Sequence, residues 1–214
     1  MEGHSQYDLR GASFDQFVDF LFDHEVAPRD WYAHVEVEYD PYRVVSCYTR
    51  LFTSSRFLLS RFSKDQLEQG FWAVHGPVLD CSVSNIIWDQ EVPFDIRERC
   101  VRAMYRLFAD LFAEEPLNSA ANMWWDSLAY AWHCGNRTRA KGGEDRLMQD
   151  VMFETLARIL EIPSEPCQVA ALHGLGHVHH PDTDGLIQGF LGKNGSLAPK
   201  LREYALAAAR FEVL

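Results

Sequence analysis

Apolar residues recur along most of this chain at three- and four-residue steps, the period of one face of an α-helix. Phe14, Phe17, Val18, Leu21 and Phe22 form one such stripe and predict a helix over about 13–25, with Ser13 as N-cap and Pro28 closing the segment. Asp40-Pro41 sets an N-cap before a first-turn proline, and the helix that follows carries Val44, Val45, Tyr48, Leu51 and Phe52. Ser63-Lys64-Asp65-Gln66 has capping-box spacing and opens a helix that runs to about His75, where Gly76-Pro77 ends it. Further helices are predicted over 94–112, 117–133, 145–160 and 198–211, with a shorter one around Val83, Ile86 and Ile87. Residues 31–39 carry β-formers in partial alternation. A lone strand has no ladder partner, so this stretch reads as an extended connector. The strongest break is the Gly-rich, basic run CGNRTRAKGGED at 134–145, which is expected to be an exposed loop.

The stretch 163–191 reads as two amphipathic helices joined by a turn at Pro181. Leu107, Leu111, Ala120, Ala121, Trp125 and Leu128 recur about fifty residues later as Leu156, Leu160, Ala170, Ala171, Leu175 and Val178, which predicts two helix-turn-helix units. The pattern Val169-Ala170-Ala171-Leu172-x-x-Leu175-Gly176-x-Val178, then Pro181, then Leu186-Ile187-x-x-Phe190-Leu191, resembles the HEAT repeat of the armadillo-type superfamily, in particular the HEAT-like repeats of the bilin-lyase type. That resemblance implies an all-α fold, an α-α superhelix with irregular N-terminal helices, whose working part is a surface that binds another macromolecule. The expected organisation is one helical domain over 1–214, irregular over about 1–93 and repeat-like over about 94–214. Among HEAT-like enzymes, deoxyhypusine hydroxylases hold iron through several His-Glu dipeptides; this chain has one, His24-Glu25.

Composition narrows the function classes. With 31 acidic and 20 basic side chains the net charge is -11, which repels phosphate backbones and attracts basic partners. Nucleic acid is therefore not expected as partner; a protein, basic in character, is. No apolar run reaches the ~20 residues of a membrane span. The polar start MEGHSQYDLR has no secretory signal pattern, and five widely spaced cysteines without a C-x-x-C pair fit free thiols in a reducing cytoplasm.

Candidate chemistry is sparse. His173, His177 and His180 follow i, i+4, i+7 spacing, and two histidines at i, i+4 can hold zinc, with Asp182 or Asp184 completing the set. The competing account is a polar stripe near a helix end. Trp124 and Trp125 could anchor a partner or fill the core, and Arg99, Arg102 and Arg106 could grip an anion or line a solvated helix face. Arg137, Arg139 and Lys141 offer a second basic group, on the loop. No H-E-x-x-H, G-x-S-x-G, P-loop or G-x-G-x-x-G is present. The expectation is thus a non-catalytic protein-binding domain without a cofactor, not an enzyme. The alternatives are a bacterial immunity protein that neutralises a basic toxin, and a metal protein or enzyme built on His173, His177 and His180.

Overall fold

The computed structural model describes residues 5–27 and 30–213; the predicted closing residue Pro28 and the first four residues of the polar start lie outside them. The chain is predominantly helical and divides into two compact units, Met1–Ala121 and Asn122–Leu214.

The first unit opens with strand β1 (Ser5–Asp8), then helix α1 (Phe14–Phe22). The Ser13 capping box forms in full: the hydroxyl accepts from Gln16 N–H, and Gln16 Oε1 accepts from Ser13 N–H at 2.8 Å. Strand β2 (Val35–Glu38) corrects the reading of 31–39 as an unpaired connector. It lies parallel to β1 in the register Ser5↔Val35, Gln6↔Glu36, Tyr7↔Val37, Asp8↔Glu38. The ladder partner is some thirty residues away in a polar segment without strand alternation, so local pattern gave no sign of it.

Helix α2 (Pro41–Thr53) starts where Asp40 accepts Arg43 N–H at 2.7 Å. A short turn of helix, α3 (Leu58–Arg61), leads to α4 (Lys64–His75), whose Ser63 box with Gln66 also forms. The single-turn α5 (Val83–Ile86) precedes α6 (Phe94–Leu107), which relaxes into a π-helical turn over Phe108–Phe112. Helix α2 packs on α6 and α1 on α4, burying Val44, Val45, Tyr48, Leu51, Phe17, Leu21, Phe71 and Met104. Burying side chains of this size contributes roughly 1.5–3 kcal/mol each.

The second unit contains α7 (Trp124–His133), α8 (Gly143–Leu160), α9 (Glu165–Val178), α10 (Thr183–Lys193) and α11 (Pro199–Ala209). The helix expected over 117–133 begins only at Trp124, because 117–123 is irregular. Helix α9 is central: it packs against α7, α8 and α11, while α10 packs on α11. Two glycines permit this. A Cβ on Gly174 would lie 2.6 Å from Trp125 Cβ and 2.7 Å from Leu156 Cδ2, and one on Gly176 would lie 2.3 Å from Val213 Cγ2. Helix α9 ends where His179 turns left-handed at φ 53°, and Gln149 of α8 donates to the freed carbonyls of Val178 (2.8 Å) and His179 (3.3 Å).

No helix among the described residues is long and apolar enough to cross a membrane. All five cysteines are free thiols; Cys81 and Cys100 are buried, and burial pushes both up to about 12.

Candidate metal centre

The first turn of α7 places Asp126 opposite the last two turns of α9, where His173 and His177 share a face one turn apart. Three atoms converge. His173 Nε2 and His177 Nε2 are 3.1 Å apart, Asp126 Oδ1 is 3.2 Å from His177 Nε2, and it is 3.8 Å from His173 Nε2. Both imidazoles are buried, while about a third of the Asp126 side chain remains exposed, so the set is walled on the α9 side and open at the carboxylate. A tetrahedron with metal–ligand bonds of ~2.0–2.1 Å has edges of ~3.3–3.4 Å. The three observed separations bracket that edge, so sub-ångström side-chain shifts bring the set to coordination geometry.

A shared proton alone accounts for the contact between the two imidazoles. An Nε2–H shared with the Asp126 carboxylate holds the third atom there as well, and a divalent cation at the same point would be held by all three. Protonation states favour the same role. Burial pushes His173 below the ordinary imidazole value, with Asp126 pulling the other way. Burial and then the neighbouring His173 push His177 down to about 4. Both rings are thus neutral near pH 7, the form that binds metal.

The surroundings are polar in a line. His173 Nδ1 meets the Tyr204 hydroxyl of α11 at 2.7 Å, and burial pushes that phenol up to about 12, so it stays protonated. On the other side, the His133 ring lies edge to face with His177 at 4.7 Å and near His179 at 5.4 Å. His179 stacks on Phe211 at 4.4 Å, and both residues have positive φ. His133 Nδ1, His177 Nδ1 and His179 Nε2 are buried without a hydrogen-bond partner. This row of imidazoles crosses an otherwise apolar helix interface.

This chain matches no family model, no curated protein and no solved structure in the comparisons made. The centre is therefore read from its own atoms.

The cluster counts against the expectation that the chain is not an enzyme: a half-buried carboxylate with two buried imidazoles able to hold a metal ion is a candidate active site. It also changes the expected ligand set. His173 and His177 are brought together, but His180 is not, because the helix stops at Val178 and the left-handed His179 breaks the i+7 phase. His180 Nε2 turns instead to Asp150 of α8 at 2.9 Å, and its ring stacks on Phe153 at 4.0 Å. Asp182 donates its N–H to His180 Nδ1 at 3.2 Å, and Asp184 accepts from Gln188 at 3.1 Å, so neither aspartate joins the centre. All three histidines are buried.

Trp124 and Trp125 are both fully buried, and Trp125 lies against Gly174 of α9. Arg99, Arg102 and Arg106 pair one turn away with Asp95 (3.2 Å), Glu98 (2.7 Å) and Asp110 (2.7 Å). On the loop, Arg137 bonds Asp145 at 2.6 Å, Arg139 bonds Asp150, and Lys141 donates to Asn136 O at 3.1 Å.

Sequence reading missed Asp126 and Tyr204. One signal for Asp126 was available: Asp126 and His133 are spaced i, i+7, which puts a carboxylate and an imidazole on one face of the aromatic-rich helix. Which helix they face is a tertiary fact.

Proposed function

We propose that this protein is a zinc-class metal enzyme whose metal is held by Asp126 Oδ1, His173 Nε2 and His177 Nε2. The observation that carries the reading is the convergence of those three atoms within 3.1–3.8 Å. Structural zinc sites use four protein ligands, whereas catalytic ones use three and keep a position open; a three-ligand set with an exposed carboxylate edge belongs to the second kind. A metal bound there supplies Lewis acidity and activates water, which makes hydrolysis the reaction class. The chain's own residues do the rest. Tyr204 orients His173, and burial keeps both imidazoles neutral. The HEAT-like reading of 163–191 accompanies this proposal. Two helices separated by the turn at Pro181 agree with it in order, but α10 packs on α11 rather than on α9, so the mount for the ligands is α9 held among α7, α8 and α11.

The test is titration of chelator-stripped protein with Zn²⁺, Co²⁺ and Fe²⁺, read by calorimetry and by elemental analysis after dialysis. One equivalent of Zn²⁺ is expected, with a Co²⁺ visible spectrum of tetrahedral or five-coordinate N/O type. Asp126→Ala, His173→Ala and His177→Ala should each abolish stoichiometric binding. Retention of one equivalent by the folded triple variant would overturn the site; preference for Fe²⁺ would overturn the zinc assignment.

A further inference from the structure

The small sheet of the first unit is unusual for its kind. All-parallel sheets are normally covered on both faces, and a two-stranded ladder is marginal in water. Here β1 is mostly exposed, and β2 alternates half-buried valines with exposed glutamates. Tyr7 lies edge-on to Phe20 of α1 at 4.9 Å, so the Tyr7/Val37 face is the inner one. The register puts Gln6, Asp8, Glu36 and Glu38 together on the outer face. With Asp80 they line an open groove of about 400 Å³.

Among the described residues the strands pair only with each other, and Leu9 N–H extends the ladder by donating to Glu38 O at 2.7 Å. An edge without a ladder partner among the described residues is a template for another strand.

Charge selects the occupant. Among the described residues the outer face carries Asp8, Glu36, Glu38 and Asp80 against Arg10, which already sits between Asp8 (2.7 Å) and Glu38 (2.6 Å), while Glu36 accepts from Gln6 at 3.3 Å. A second copy of the chain would set glutamate against glutamate, since like charges on facing strands repel. The geometry points to an extended basic segment of a partner protein, added as a third strand beside β2. Its apolar side chains would follow Val35 and Val37, and its lysines or arginines would stand opposite Glu36 and Glu38. This surface is independent of the metal centre.

The probe is a short labelled peptide of alternating lysine and valine, titrated into the full chain at low salt and followed by fluorescence anisotropy. Saturable binding is expected. A matched peptide with proline at alternate positions keeps the charge but cannot form the ladder, and should bind at least ~10-fold more weakly. The Glu36→Lys/Glu38→Lys variant should lose the lysine–valine peptide and gain a glutamate–valine one, a gain that unfolding cannot mimic. Equal binding of the proline peptide, no saturable binding, or a variant without switched preference would each overturn the proposal. So would sedimentation of the protein alone as a dimer that the double variant dissolves, which would assign the edge to a second copy.

Discussion

Tyr204 on α11 and His173 on α9 share a 2.7 Å hydrogen bond between the phenol oxygen and Nδ1, and this bond decides which nitrogen of His173 faces Asp126. A metal on Nε2 requires the proton on Nδ1, where the tyrosine oxygen accepts it. Tyr204→Phe removes the acceptor and keeps the ring. Zn²⁺ affinity should fall by ~10–100-fold, the usual cost of losing an outer partner of a ligating histidine, with stoichiometry still at one. Competition against a chromophoric chelator measures this. Unchanged affinity would remove Tyr204 from the centre.

His180 gives the converse expectation. It follows His173 and His177 in sequence spacing but bonds Asp150. Burial alone would raise the Asp150 carboxyl, yet bonds from Arg139 and His180 together hold it below its ordinary value. His180→Ala should therefore leave metal stoichiometry and affinity unchanged and lower stability by ~1–2 kcal/mol through the lost bond and the lost stack on Phe153. Chemical denaturation beside metal titration separates the two readouts; loss of metal binding in this variant would restore His180 to the ligand set.

The two histidines contrast what sequence can and cannot disclose here. Spacing within one helix was legible, as were the caps at Ser13, Asp40 and Ser63, because each depends on neighbours within a turn. His173 and His177 were legible for the same reason. His180 was not, because a single left-handed residue, His179, redirected the chain. Asp126 precedes His173 by 47 positions and meets it only through helix packing. The pairing of β1 with β2, and the burial of both Trp124 and Trp125, are likewise properties of the assembled fold.

Close approach of α7 to α9 is what delivers Asp126, and Gly174 controls it. A Cβ there would meet Trp125 Cβ at 2.6 Å, one residue from the ligand, and cannot be accommodated by a flexible chain end. Gly174→Ala should cost ~1–3 kcal/mol and weaken metal binding by displacing α7. Gly189 of α10 has nothing within 4 Å of its would-be Cβ. Gly189→Ala should stabilise by ~0.5–1 kcal/mol through helix propensity and leave metal affinity alone. Denaturation and zinc titration of the two variants check both signs; equal effects would mean that helix approach does not set the geometry.

Acid sensitivity should have a source in the first unit as well. His75, at the end of α4, is fully buried, and burial pushes its imidazole down to about 3. In the unfolded chain the same ring titrates near its ordinary 6.5. Between those values the unfolded state binds more protons than the folded one, so stability falls as pH drops from about 6.5 towards about 3 and levels off below. The slope from one such group approaches about 1.4 kcal/mol per pH unit. His75→Leu removes the titration, so the difference in stability between the native chain and the variant should change by that slope across the window and stay flat above about pH 7. Trp72, whose ring lies 4.7 Å from His75, gives a local fluorescence readout for urea unfolding at successive pH values. Parallel stability curves for the two proteins would show that His75 is not buried in its neutral form.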